Sequence, residues 1–376
     1  MTTAIHPIAA RIVSGPVQWV EAPASGRPFE TALRESRSFL AVVVAQVAAS
    51  AVICGAAGLP ILAGPLDAFT TFFSAVAVFG TMAFIGELFR RRLLQAPSVP
   101  IGMAYRRAWT NMRDELLTGE YLALVAITFF ATPIAISAFS AAKQAIPILH
   151  PFTWDPVLSA IGSRINGGRP LWQRLQPFLG KPEITTILDW FYHRAWTALI
   201  LAVVVWTGLS RPSAIRRQFL VAFGLLMLVL GNVLALALAS AGPAYYGLIS
   251  HGAHDPYAGL FVYLRSVDAH TPLLSVRGEA FLWYAYRHRV EALGYGVSAM
   301  PSLHVASATL MALFGFRFSR LLGTILTGVA VCTFAASIAL GWHYALDGYV
   351  GAALAGAVWW AAGRLTTRKA DETAAK

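Results

Sequence analysis

The chain has 376 residues, of which 57% are hydrophobic and only 12% charged. Soluble domains carry about 25% charged residues, so this composition excludes a water-soluble fold and describes a polytopic membrane protein. The net charge of +11 sits in clusters between apolar runs. That pattern fits an anionic lipid surface and a positive-inside topology, and no basic, aromatic-interleaved module that would bind nucleic acid is present.

Residues 1–37 are polar with scattered arginines and no early apolar core, which predicts an uncleaved N-terminal segment rather than a signal peptide. Beyond it, apolar runs near the length of about 20 residues needed to span fall at 38–58, 66–88, 119–140, 193–210, 217–240, 302–318, 321–341 and 344–363. The expected fold is therefore an all-α membrane bundle of eight spans. Cys54 and Cys332 lie inside apolar runs and read as packing residues. There is neither CxxC spacing nor a metal-ligand cluster, and no metal or cofactor is expected.

Segment 150–182 opens with His150-Pro151-Phe152-Thr153-Trp154-Asp155 and is too polar to span. It reads as an interfacial stretch that roofs a lipid-facing cleft, or else as an ordinary surface loop. Asn232, inside the fifth span, is expected to hydrogen-bond to a neighbouring helix.

The basic residues decide orientation. The N-terminal segment, the 89–118 loop (Arg90, Arg91, Arg92, Arg106, Arg107, Arg113), the 211–216 turn, the 317–320 turn and the tail from Arg364 all fall on one side of an eight-span path. By the positive-inside rule that side is cytoplasmic, which suits a bacterial inner membrane. Residues 141–192, 241–301 and the 341–343 turn then lie on the extracytoplasmic side.

Two motifs sit on that second side. Met300-Pro301-Ser302-Leu303-His304 opens the sixth span. His343-Tyr344-Ala345-Leu346-Asp347 opens the eighth. A His and an Asp four residues apart share a helix face, so Asp347 can fix the tautomer of His343 and raise its basicity. Proline suits a first helical turn, and the free N–H groups of that turn, with the Ser302 hydroxyl, can receive a phosphate. Ionisable residues within a span are costly and are functional candidates. Two histidines, a carboxylate and a hydroxyl can carry phosphoryl transfer through a covalent histidine intermediate.

The PSxH motif followed by HxxxD resembles the type 2 phosphatidic acid phosphatase (PAP2) superfamily. The form HYxxD, with Tyr344 after the His, looks most like the branch containing inositolphosphorylceramide and sphingomyelin synthases. The resemblance covers mainly residues 190–363. It implies a six-span core over 119–363, preceded by two extra spans and a basic loop at 38–118 and followed by a tail at 364–376. It also implies roles: His343 as the nucleophile toward phosphorus, Asp347 as its orienting partner, His304 as the acid that protonates the leaving alkoxide, and Ser302 as a phosphate ligand.

The chain departs from the phosphatase pattern SRxxxxxHxxxD, because Ala336 and Ser337 stand where Ser and Arg are expected. The KxxxxxxRP motif is missing as well. The transferase-like branch shares the loss of the clamping Arg. Another cation must then meet the phosphate, and Arg287 and Arg289, just before the PSLH motif, are candidates; they also read as a solvated charge run. Tyr245 and Tyr246 read either as cleft-lining residues, with Tyr344, or as interfacial anchors. The implied function is a lipid phosphotransferase acting on membrane lipids, with a lipid phosphate phosphatase as the alternative. A transporter or flippase would instead distribute ionisable residues over several spans near the midplane, whereas here they concentrate at span ends.

Overall fold

The computed structural model describes residues 28–93, 100–250 and 254–374, and those residues form helices and connecting turns without a strand. Most of the polar segment read at 1–37, together with positions 94–99 of the basic loop, lies outside the described residues. Six helices are long and apolar enough to cross a membrane: α1 (Pro28–Ala57), α2 (Pro65–Arg92), α4 (Gly119–Leu149), α7 (Pro182–Leu209), α8 (Ala214–Ala237) and α12 (Arg320–Ala339). The sixth expected span is helix α11 (Leu303–Phe316), apolar but only 14 residues long. The eighth is the first part of α13 (Ala345–Ala374). Between them lie α3 (Ile101–Leu116), α5 (Asp155–Ile165), α6 (Leu171–Leu179), α9 (Ala258–Asp268) and α10 (Leu274–His288).

Two expectations change. The 89–118 loop is largely helical: α2 runs on into its arginines, and α3 lays Trp109 edge-on to Phe84 of α2, with ring centroids 5.8 Å apart. The fourth span begins at Pro182, not near 193. Asp189, His193 and Arg194 interrupt the apolar run and so disguise a helix that tertiary contacts complete.

Small residues set the helix spacing. α1 packs along α4, whose Ala131, Ala135, Ala138, Ala142 and Ala145 are buried at three- and four-residue spacing. Without a hydrophobic drive between helices in lipid, such close packing supplies the cohesion. One apolar cluster, including Phe219, Leu226, Leu310 and Met311, fills the middle of the bundle. A second surrounds Tyr257, Leu260, Leu264, Leu340 and Tyr344. It packs α9 over the start of α13, and thereby over the histidine motif. Hydroxyl side chains of Thr118, Ser213, Ser302 and Ser319 each accept an N–H three residues on, capping α4, α8, α11 and α12.

α11 packs against both α12 and α13. The backbones of α11 and α13 come close at Gly351, where an added Cβ would stand 2.6 Å from the Ser302 carbonyl oxygen. A side chain at 351 is therefore incompatible with the present distance between the two motif-bearing helices. Asn232 is fully buried, and both atoms of its amide lack a partner. The expected interhelical hydrogen bond is not formed, because Asn232 lies in the π-helical stretch Leu226–Leu234, where the helix register shifts.

Candidate active site

The two motifs meet. The ring centroids of His304 and His343 are 6.1 Å apart, which lets both imidazoles reach one phosphate group. His343 arrives through a tight turn after α12. The Ser337 carbonyl accepts the N–H groups of Trp342 (2.9 Å) and His343 (3.2 Å), and Gly341 takes the left-handed conformation (φ 75°) that the turn requires. His343 Nδ1 then faces Asp347 Oδ2 at 3.3 Å, and the same oxygen accepts the Tyr344 N–H at 2.9 Å. Nδ1 is thus committed to the carboxylate, and Nε2 is left as the free nitrogen. Asp347 is fully buried, and its Oδ1 has no partner.

His304 is in the first turn of α11. A cis peptide joins Met300 to Pro301. The approach is stitched to the end of α8: Ala299 N–H donates to the Ser240 carbonyl and Met300 N–H to the Ser240 hydroxyl. Ser302 is buried; its N–H donates to the Asp347 carbonyl at 3.1 Å, and its Oγ accepts the Val305 N–H at 3.4 Å. Ser302 therefore links the two motifs directly while capping α11.

Aromatic rings from α7 hold the His304 imidazole. Tyr192 stacks on it at 4.6 Å, and Trp196 lies against it at 4.2 Å. Both come from a π-helical turn, Phe191–Ala195, and the residue after it. Single π-turns inside α-helices recur at functional sites. Here the turn presents Tyr192 and His193 side by side. His193 Nδ1 lies 3.0 Å from the Asp189 carbonyl and 3.4 Å from Asp189 Oδ1, and its ring stands edge-on to Trp342. Asp189 also accepts from the Leu274 N–H and from both the N–H and hydroxyl of Ser275. It thus caps α10 and fixes that helix beside the site.

The segment around 150–182 forms α5 and α6, and it roofs the cleft. His343 and Tyr344 line a small cavity with Gly162, Pro170, Trp172 and Tyr257. Asp155, fully buried, fastens the roof. Its carboxylate accepts the Tyr344 hydroxyl (2.7 Å) and the N–H groups of Ala241 (2.9 Å) and Gly242 (2.7 Å). Burial pushes this carboxyl above its ordinary range, against the opposing pull of those three donors.

Of the remaining candidates, Tyr344 is at the site through its bond to Asp155. Tyr246 is one ring away, against Tyr257 at 5.6 Å. Tyr245 is buried, donates to the Glu279 carbonyl at 3.2 Å and stacks on Trp283, so it braces α10. Arg287 and Arg289 are exposed at the end of α10. Arg289 lines a separate cavity with Gln144, Pro147, Tyr286 and Glu291 that shares no residue with the His343 cleft. Neither arginine lines the His343 cavity. Ser337, at the position where the phosphatase pattern has its Arg, is buried with its hydroxyl turned back to the Phe334 carbonyl.

A family model of the PAP2 superfamily matches residues 158–361. The chain belongs to the PAP2 superfamily. No curated protein and no solved structure matches it. The PAP2 match begins inside α5 and closes within α13, so it contains both histidine motifs, α7 and most of the roof, and leaves α1 to α4 outside. Sequence reading missed Asp155, Asp189, Tyr192, His193 and Trp196. The signal for the α7 residues was present: Asp189 and His193 stand four apart, within an aromatic run from Trp190 to Trp196.

Proposed function

We propose that this PAP2-superfamily protein is an integral-membrane lipid phosphotransferase that moves a phosphate-bearing head group through a phosphohistidine at His343. The observation that carries the reading is the His343–Asp347 pair facing His304 across 6.1 Å. In the first step His343 Nε2 attacks phosphorus, the bond to the donor's leaving oxygen breaks, and His304 gives that oxygen a proton. In the second, an acceptor hydroxyl loses its proton to His304 and attacks phosphorus, and the N–P electron pair returns to His343. Asp347 stabilises the imidazolium character that His343 gains, the role a buried carboxylate plays behind a catalytic histidine. The N-terminal turn of α11 offers N–H groups to the equatorial oxygens.

The HYxxD form and the absence of an Arg at Ser337 support the branch that contains inositolphosphorylceramide and sphingomyelin synthases, hence transfer to a lipid or sugar hydroxyl rather than to water. The distribution of arginines supports a cleft open to the extracytoplasmic leaflet, in a bacterial inner membrane. The two N-terminal spans and the basic segment to residue 118 act as an addition to a six-span core.

The test uses purified protein in detergent, wild type beside His343→Ala. Each receives phosphatidylinositol, phosphatidylcholine, phosphatidylglycerol or phosphatidic acid, with and without diacylglycerol and ceramide, and products are read by mass spectrometry. The expected result is a new head-group-bearing lipid that the variant does not make. Free phosphate lost in the variant would identify a phosphatase instead. Equal product from both proteins would remove His343 as nucleophile.

A further inference from the structure

PAP2 proteins that carry the SRxxxxxH pattern have an arginine to hold the phosphate, and this chain has Ser337 there, turned away from the site. Yet two buried donors at the site have nothing to bond. The Tyr192 hydroxyl and the Trp196 indole N–H lack any hydrogen-bond partner, and Tyr192 is only 2% exposed. A buried donor left unsatisfied carries its full desolvation penalty, and one such group in a native site calls for an explanation. Here two occur four residues apart on one face of α7. Both belong to rings that touch the His304 imidazole, at 4.6 and 4.2 Å. The two rings therefore stand beside the imidazole that an anion between His304 and His343 would meet. The π-turn between Trp190 and Trp196 sets this geometry, since the extra residue in the turn rotates Tyr192 relative to a regular helix.

Charge narrows the ligand. Three buried carboxylates, Asp155, Asp189 and Asp347, stand about the site. Asp347 is paired with His343, Asp189 with His193, and Asp155 with uncharged donors. A phosphomonoester dianion would face these three carboxylates with no arginine at Ser337 to offset its charge. A phosphodiester carries a single negative charge, which two neutral donors suit better.

We propose that Tyr192 and Trp196 form a neutral-donor phosphate cradle in place of the arginine clamp, and that the cradle selects a phosphodiester lipid over a phosphomonoester. The proposal rests on the phosphotransferase reading for its chemistry, but the cradle itself is separable from the identity of the acceptor. In the transition state the Tyr192 O–H and Trp196 N–H donate to non-bridging oxygens of phosphorus. No bond is made or broken at either residue.

The experiment compares full-length wild type with Tyr192→Phe and Trp196→Phe in detergent. Each substitution keeps a ring against His304 and deletes one donor. Three quantities are measured: thermal stability, orthovanadate affinity by intrinsic fluorescence, and turnover of phosphatidylglycerol against phosphatidic acid. Deleting an oxyanion donor lowers kcat on the order of 10²–10³-fold. We expect a fall of at least about tenfold in kcat for each variant and a weakening of vanadate binding of similar size, with unfolding temperatures at or above wild type, because the lost groups were unsatisfied in the free protein. Phosphatidylglycerol should be used in preference to phosphatidic acid. Turnover and vanadate affinity within twofold of wild type in both variants would overturn the cradle. A lower unfolding temperature with unchanged vanadate affinity would assign the two groups to packing and overturn it equally. Release of free phosphate from phosphatidic acid as the dominant wild-type reaction would sink the diester preference and the head-group-transfer reading, while the vanadate comparison would still decide the cradle.

Discussion

Asp347 serves the His343 imidazole and the backbone through one oxygen. Its Oδ2 faces His343 Nδ1 and accepts the Tyr344 N–H, so the imidazole is oriented by the same atom that closes the first turn of α13. An amide in its place can still accept the Tyr344 N–H through oxygen, but it then turns N–H toward a ring nitrogen that already carries a proton. Asp347→Asn should lower turnover by about 10²–10⁴-fold, as a wrong tautomer does in other histidine–carboxylate pairs, with little change in thermal unfolding. A loss of both activity and folding would mean that the carboxylate is structural. At this scale the motifs were legible because each is local: four residues put His343 over Asp347, and a proline–serine pair starts α11. Arg287 and Arg289 were named from nearness in sequence to the PSLH motif, and nearness in sequence does not say which residues line the His343 cavity. Tyr192 and Trp196 were illegible as ligands, because an unsatisfied donor exists only relative to its three-dimensional neighbours.

At the scale of elements, two insertions into regular structure build the site: the π-turn of α7, and the roof of α5 and α6 fastened at Asp155. That carboxylate satisfies two backbone N–H groups at the end of α8 and the Tyr344 hydroxyl. Gly242, in that turn at φ 97°, lets the chain pass so close to Trp342 that a Cβ would stand 2.8 Å from its carbonyl oxygen. Asp155→Ala would strand three buried donors, each costing about 1–3 kcal/mol. It should lower stability by at least about 2 kcal/mol in a denaturation series and depress turnover with it. Tyr344→Phe removes one of the three bonds and should cost about 1 kcal/mol; a larger loss than in Asp155→Ala would show that the hydroxyl has a second role. The interfacial reading of 150–182 followed from its mixture of Trp, Pro, Arg and Leu, which suits a surface. The early start of α7 was hidden, since Asp189, His193 and Arg194 look like a loop until their partners on α10 and α12 are in place.

Across the whole molecule, α12 separates two chemically different ends. Its 20 residues rise about 30 Å, close to the hydrocarbon thickness of a bilayer, and carry the chain from the Arg317–Arg320 turn to the His343 turn. In a cysteine-free background, Thr271→Cys near the histidine end should react with a membrane-impermeant maleimide added outside intact cells, and Arg320→Cys should react only after permeabilisation. The reverse pattern would invert the topology while leaving the site intact. The close approach at Gly351 is also testable at this scale. Gly351→Val forces α13 away from the Ser302 carbonyl and should cost about 1–3 kcal/mol by overpacking, with loss of turnover because the two motifs no longer meet. An all-helical membrane bundle was readable from hydropathy alone, and among the described residues six helices are long and apolar enough to span; the spacing of the helices was not readable, being set by single glycines and alanines whose meaning depends on what lies opposite.

The roof has a consequence for traffic. A lid that swings needs a weakly held edge, and this one is bolted at its buried end by three hydrogen bonds to Asp155, one of them from the residue next to His343. Lifting it would disturb His343. On the proposed reading, lipids therefore slide in sideways between helices, from the leaflet beside the cleft, and their products leave the same way. Donor and acceptor are then drawn from one sheet of lipid, and the rate should follow their surface density in that leaflet rather than their concentration in the surrounding water.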